Sequence, residues 1–127
     1  MGVQSHIFAE TYTTGPQFKR FLEEVSDLGL EILVTEMDVR DQNLPGDVAL
    51  RERLVAEQYY RYLSFMLQFK AVKTVLTWGL SDRYSFVAVH NARRDGLPAR
   101  TLPYDADLNP TPSWGAMQRA FRDAPSR

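Results

Sequence analysis

The clearest pattern along the chain is an apolar run at residues 30–38 that includes two acidic positions near its end, Glu36 and Asp38. A run that is apolar at most positions is typical of a strand covered on both faces, as in a parallel sheet packed between helices. Because side chains alternate along a strand, we expect Ile32, Val34, Glu36 and Asp38 to share one face. A strand end that simply meets solvent is often acidic too, so the pattern alone leaves the role of Glu36 open.

Apolar residues also recur at helical spacing on both sides of this run. Pro16, in the first-turn position that proline tolerates, opens an apolar stripe that predicts a helix ending at Gly29. A longer helix is predicted over residues 49–69 and a last one over residues 114–121. The stripe of the first helix consists of Phe18, Phe21, Leu22, Val25 and Leu28.

Two further strands complete the predicted sheet. Residues 2–8 and 71–77 have strand character, and a helical pattern separates each of them from residues 30–38. Strand, helix and strand with short connections form a βαβ unit, so we predict an α/β fold with parallel strands. Residues 80–112 are rich in turn formers, and a loop of this length usually covers a site or lacks order.

Composition and charge narrow the classes of function. The chain of 127 residues is 44% hydrophobic and 24% charged, which suits one globular unit spanning residues 1–127. A net charge of −1 gives no electrostatic basis for binding nucleic acid or an anionic membrane. No stretch approaches the length of a membrane span, and residues 1–6 do not resemble a signal peptide. The chain has no cysteine, which excludes thiolate metal sites, and we expect neither a metal nor a cofactor.

Polar and aromatic side chains lie near the C-terminal end of each predicted strand: Gln4 and His6, then Glu36 and Asp38, then Trp78. The C-terminal ends of parallel strands meet at one rim, where α/β barrels carry their catalytic groups, so we expect these side chains to converge. An indole ring can stack on a pyranose, and a carboxylate can attack or stabilise an anomeric carbon, so the set suits sugar chemistry. A lone histidine is more often structural, and that alternative stays open for His6.

Four separated motifs resemble those of glycoside hydrolase family 10, the retaining endo-β-1,4-xylanases. The first three resemble the last three strand motifs of that family, and the fourth resembles its closing loop and final helix. They are Gln-Ser-His at residues 4–6, Val-Thr-Glu-Met-Asp at 34–38, Thr-Trp-Gly-Leu-Ser-Asp-Arg-Tyr-Ser at 77–85, and Leu-Pro-Tyr-Asp at 102–105 followed by Pro-Thr-Pro-Ser-Trp at 110–114.

The resemblance implies a role for each residue at the predicted rim. Glu36 is expected to be the catalytic nucleophile. His6 is expected to hydrogen-bond Glu36, and Asp38 to hold His6 in place. Gln4 is expected to contact the sugar beside the scissile bond, and Trp78 to be the stacking platform there.

Two more residues are expected to contact the substrate, which the resemblance implies is xylan or a xylo-oligosaccharide. Arg83 lies within the third motif, and Phe86 stands where the family has a second tryptophan. Phenylalanine keeps an aromatic ring but has less area and no indole N–H, so we expect a weaker sugar contact at this position.

The family fold is an eight-stranded (β/α)8 TIM barrel, and the resemblance implies that this chain supplies about the last three strand–helix units. The general acid/base of the family lies in an Asn-Glu pair, but none of Asn43, Asn91 and Asn109 precedes a glutamate. We therefore expect only the nucleophile half of the site, with a complementing N-terminal barrel half or further copies of the chain as partner. Two alternatives stay open: a catalytically incomplete remnant that binds sugar weakly or is an oligomeric structural protein, and an unrelated βα protein.

Overall fold

The computed structural model describes residues 1–126, which form four strands, four α-helices and one short 3₁₀-helix. The strands are β1 (Gly2–Val3), β2 (His6–Phe8), β3 (Ile32–Arg40) and β4 (Val72–Thr77). The helices are α1 (Pro16–Asp27), α2 (Val48–Met66), α3 (Phe86–His90) and α4 (Pro112–Arg122), and the 3₁₀-helix spans Asp82–Tyr84.

Strand β3 lies in the middle of a parallel sheet. Strands β1 and β2 pair with successive parts of one edge of β3, and β4 pairs with its other edge. All of these pairings are parallel, with helices α1 and α2 in the connections, so the predicted α/β fold with βαβ units is confirmed. The register places Val34 opposite both Val3 and Val75, and it places His6 opposite Asp38.

The strand predicted over residues 2–8 consists of two pieces. Ser5 adopts a φ of 70°, which an L-amino acid rarely does within a strand. This residue therefore separates β1 from β2 along the chain. The Ser5 hydroxyl lies 2.7 Å from the hydroxyl of Tyr62 on α2, and this buried hydrogen bond joins the break to the helix layer.

The predicted arrangement of side chains along β3 is wrong, because the register against β4 shifts between Val34 and Met37. Such an irregularity changes which positions face each side of the sheet. Ile32 and Val34 are buried in the core with the helices, and after the shift Met37 and Val39 occupy that side. Glu36 and Asp38 therefore do not share a face with Ile32 and Val34.

The side of the sheet opposite the helices is partly open, whereas the apolar run predicted a strand covered on both faces. Leu33 and Thr35 of β3 are half-buried, and Leu76 of β4 is 51% exposed. The core itself lies between the sheet and helices α1, α2 and α4, and it includes Leu22, Val25, Val55, Tyr59, Leu63, Met66, Met117 and Ala120.

The helices follow their sequence signals with shifted ends. Pro16 is in the first turn of α1, and Gly29 adopts a φ of 73° just beyond its end. Asp47 caps α2 by accepting a hydrogen bond from the backbone N–H of Leu50 at 2.7 Å. Helix α2 ends at Met66, three residues before the predicted end. No helix within residues 1–126 is long and apolar enough to cross a bilayer.

The connection from β4 to α4, expected to be a long loop, contains the 3₁₀-helix and α3 and is held by buried charged side chains. Asp82 Oδ1 accepts hydrogen bonds from the backbone N–H groups of Thr101 and Leu102 at 2.9 and 3.0 Å. Asp41, just after β3, accepts a hydrogen bond from Arg51 at 2.7 Å, and Arg93 donates to its carbonyl oxygen. These contacts fix the connection against the end of β3.

Candidate active site

His6 lies between two carboxylates at the end of the sheet. Its Nδ1 atom is 2.9 Å from Asp38 Oδ2, and its Nε2 atom is 3.2 Å from Glu36 Oε2. The parallel register that pairs His6 with Asp38 produces this arrangement, because it sets the imidazole beside the two acidic side chains of β3. The convergence of His6, Glu36 and Asp38 expected from the sequence is therefore present in the structure.

The number of hydrogen bonds that His6 can donate depends on the form of its imidazole. A neutral imidazole has one N–H and can donate to only one carboxylate, whereas an imidazolium donates to both. With both carboxylates ionised, a protonated His6 satisfies both contacts. Burial raises the pKa of Asp38, while the charge and hydrogen bond of His6 and the charge of Arg40 oppose that rise.

The two carboxylates differ in access to solvent. The side chain of Asp38 is 1% exposed, whereas those of Glu36 and His6 are 24% and 21% exposed. A reacting molecule can reach Glu36 but not Asp38. Of the two carboxylates, only that of Glu36 is open enough to meet a reacting carbon, whereas the buried Asp38 contacts His6.

Trp78 and Gln4 border this group. The Trp78 ring meets His6 edge-on with centroids 6.3 Å apart, and its side chain remains exposed. The backbone N–H of Trp78 donates to Met37 at 3.0 Å, so the tryptophan is fixed to β3. The carbonyl oxygen of Gln4 accepts from the Glu36 N–H at 3.0 Å, which places the backbone of Gln4 beside that of Glu36.

The structure does not join Arg83 and Phe86 to the carboxylates. The Arg83 guanidinium lies 3.6 Å from Asp107, and the Phe86 ring packs on His90 with centroids 4.3 Å apart. Both residues lie in the connection after Trp78 and are exposed to solvent. Within residues 1–126, neither side chain forms a hydrogen bond, ion pair or ring contact with Glu36, His6 or Asp38.

Sequence reasoning missed Arg40. Its Nε atom lies 3.9 Å from Asp38 Oδ1, and its guanidinium lies over the ring of Phe8 at 5.5 Å from the centroid. The available signal was its position two residues after Asp38 on the same strand, because such residues share a face. No group of three or more metal-ligating side chains suited to a metal ion is present in residues 1–126.

The chain resembles known proteins over nearly all of its length. The family model described as "Glycosyl hydrolase family 10" matches residues 1–120. Endo-1,4-beta-xylanase B of Thermotoga neapolitana is 34% identical over 106 residues, which are 84% of this chain and 29% of that protein. Endo-1,4-beta-xylanase 5 of Pyricularia oryzae is 27% identical over 90% of this chain and 27% of that protein.

The fold of this chain also resembles that of solved xylanase structures. Native xylanase 10B from Thermotoga maritima superimposes with a TM-score of 0.82 and 32% identity, covering 95% of this chain and 36% of that one. Xylanase 10B from Thermotoga petrophila RKU-1 in complex with xylobiose gives a TM-score of 0.82 and 32% identity, with 95% and 35% covered. The chain thus spans about a third of the length of these relatives.

Proposed function

Because this chain belongs to glycosyl hydrolase family 10, we propose that it carries the nucleophile half of a site that hydrolyses β-1,4-xylosidic bonds in xylan with retention. The observation that supports this most directly is the accessible Glu36 carboxylate, which His6 contacts at 3.2 Å beside the exposed ring of Trp78. A retaining site needs one carboxylate that is fixed in orientation yet open to the anomeric carbon.

In the proposed mechanism, Glu36 attacks the anomeric carbon of the bound sugar. A bond forms between the carboxylate oxygen and that carbon, and the bond to the leaving oxygen breaks as the leaving group takes a proton from a general acid. Water then cleaves the glycosyl-enzyme ester and restores the carboxylate. His6 holds Glu36 Oε2, and Oε1, which forms no hydrogen bond within residues 1–126, makes the attack.

The neighbouring residues position the imidazole and the sugar. Asp38 accepts the Nδ1–H of His6 and so fixes the ring. Trp78 provides the surface on which a xylose ring stacks, and Gln4 contacts the sugar beside the scissile bond. Arg83 and Phe86 contact xylan farther along the cleft, and Phe86 gives a weaker stacking surface than tryptophan.

The general acid/base of this proposed site lies in another part of the barrel. We place the chain as about the last three strand–helix units of a (β/α)8 barrel, and no Asn-Glu pair is present in its sequence. Asp38 is unsuited to the role because it is buried and lies two residues from Glu36 on one strand. The two carboxyls of a retaining site lie about 5–5.5 Å apart on opposite sides of the scissile bond.

An aryl β-xylobioside with a good leaving group tests the proposal on the chain itself. Such a leaving group departs without a general acid, so Glu36 alone should support release of the phenolate. Glu36→Gln should reduce this rate by on the order of 10⁴-fold or more, because the nucleophile is lost. Glu31→Gln is the matched control, since Glu31 is an exposed glutamate outside the site.

Azide distinguishes a missing acid/base from a missing nucleophile. If the acid/base is absent, azide should accelerate breakdown of the glycosyl-enzyme and yield the β-xylobiosyl azide.

Hydrolysis of the aryl substrate by Glu36→Gln at a rate within tenfold of the unmodified chain would refute the assignment of Glu36.

A further inference from the structure

Arg40 and His6 lie near different oxygens of the Asp38 carboxylate. Asp38 Oδ2 contacts His6 at 2.9 Å, and Asp38 Oδ1 lies 3.9 Å from Arg40 Nε. Both Asp38 Oδ1 and Arg40 Nε are buried, and neither has a hydrogen-bond partner within residues 1–126. Leaving buried polar atoms unpartnered is costly, and these two carry opposite charge and face each other. The geometry therefore identifies each atom as the electrostatic partner of the other.

Four side chains thus form a row, which alternates in charge when His6 is an imidazolium. The row runs from Glu36 through His6 to Asp38 and ends at Arg40. The aromatic ring of Phe8 lies against the guanidinium of Arg40, so the cation is held over β2. Two carboxylates balanced by two cations can remain ionised together in this partly buried place.

We propose that Arg40 is a positioning residue, whose guanidinium keeps Asp38 ionised so that Asp38 holds His6 on Glu36. This inference deepens the proposed function and rests on it for the role of Glu36 as nucleophile. The contact between Arg40 and Asp38 is itself a property of the folded chain, so it can be tested without substrate.

Within residues 1–126, four charged or titratable groups interact with Asp38. His6 faces it from β2, Glu36 and Arg40 belong to β3, and Tyr59 interacts with it from α2. Burial and the charge of Glu36 favour the neutral carboxyl, while His6 and Arg40 favour the carboxylate. Removing Arg40 leaves His6 as the sole cation opposing burial, so Asp38 should take up a proton at higher pH.

Carbon-13 NMR of the Asp38 carboxyl, assigned by comparison with Asp38→Asn, measures this directly on the full chain. Arg40→Gln should move the protonation midpoint upward by about one pH unit, the lower end of the effect of an adjacent arginine on an aspartate. The Nδ1–H resonance of His6, which reports its hydrogen bond to Asp38, should weaken over the same raised pH range. Arg40→Lys retains the charge and should restore both signals.

Arg53→Gln is the matched control, because Arg53 lies at the surface and pairs with Glu57 on the same helix. It removes the same charge without touching the row and should leave the Asp38 midpoint in place. If Arg40→Gln does not fold, Arg40→Met keeps the aliphatic stem over Phe8 and replaces it. An unchanged midpoint in a folded neutral variant, or an equal rise in Arg40→Lys, would overturn the proposal. Neither result depends on whether the chain cleaves xylosides, so a failure here is distinct from a failure of the proposed function.

Discussion

Two carboxylates of β3, those of Glu36 and Asp38, meet at His6 because β2 runs parallel to β3 with His6 paired to Asp38. The sequence predicted this group, because residues at the C-terminal ends of parallel strands lie at the same rim. It did not indicate which carboxylate is open to solvent. Only the packing of β3 shows that Asp38 is buried while Glu36 is accessible.

His6→Ala should lower the rate on an aryl β-xylobioside by about 100-fold, less than the loss caused by Glu36→Gln. Its pH–rate profile should also change shape, because an oriented imidazole influences the protonation of the carboxylate beside it. His6→Asn, which keeps one hydrogen-bond donor, is the control for loss of volume and should retain more activity. An unchanged rate and profile in His6→Ala would make His6 a purely structural residue.

Asp82 should make the chain less stable at neutral pH than at acidic pH. Burial raises the pKa of Asp82 to about 6, above its usual value of 3.8, despite its hydrogen bonds to Thr101 and Leu102. The folded state therefore binds this proton more tightly than the unfolded state does. Its contribution is complete below pH 3.8 and is lost as the pH rises through about 6.

The size of this effect can be measured by urea unfolding at several pH values. A difference of two pH units between the states corresponds to about 3 kcal/mol of unfolding free energy. Asp82→Asn should remove that part of the pH dependence. The difference in unfolding free energy between the unmodified chain and the variant should therefore change between pH 4 and pH 6. Parallel pH profiles for the two proteins would contradict this account of Asp82.

At the scale of secondary structure, the strongly periodic segments were predictable and the irregular ones were not. The apolar stripe after Pro16 and the glycine at its end gave α1 within a few residues. The break at Ser5 and the register shift in β3 have no sequence signature, because they arise from pairing with neighbouring strands. That shift is also why the side chains of β3 could not be assigned to faces by alternation alone.

The end of β3 and the connection from β4 to α4 depend on one buried carboxylate, Asp41. It accepts a hydrogen bond from Arg51 at 2.7 Å and lies 3.8 Å from Arg93, and both arginines are buried. Asp41→Ala leaves the buried guanidinium of Arg51 without a carboxylate, although Arg93 keeps its ion pair with Asp95, so the free energy of unfolding should fall by about 3–5 kcal/mol. Urea unfolding measures this loss.

Asp47→Ala is the matched control for Asp41→Ala. Asp47 caps α2 at the surface, and its loss should lower the free energy of unfolding by about 1 kcal/mol. Equal losses in the two variants would show that the buried charges contribute no more than an ordinary helix cap.

At the scale of the whole molecule, one face of the sheet is partly exposed to solvent. Three strands of an unclosed barrel are expected to leave interior-facing residues, here Val34, Val72 and Leu76, open to water, but Val34 and Val72 are buried in the core with the helices. The expectation was wrong for these two because they point to the helix side of the sheet, whereas Leu76 is exposed. The apolar area available to a partner on this face is therefore smaller than the sequence suggested.

Strand edges still favour association. Within residues 1–126, β4 pairs only with β3, and β1 and β2 pair only with β3, so no further strand pairs with the outer edges of the sheet. We predict that the isolated chain is at least a dimer at micromolar concentration. Light scattering coupled to size exclusion tests this. A monomer of 14.6 kDa that unfolds cooperatively would contradict it.

The assignment of Glu36 as nucleophile is tested most directly by trapping the covalent intermediate. An aryl 2-deoxy-2-fluoro-β-xylobioside with a good leaving group needs no general acid to react, and the fluorine slows breakdown of the resulting ester. The intact mass of the chain should increase by one fluoroxylobiosyl group, and peptide mapping should locate that group on Glu36. No mass increase, or a label on Asp38 or another residue in place of Glu36, would contradict the account.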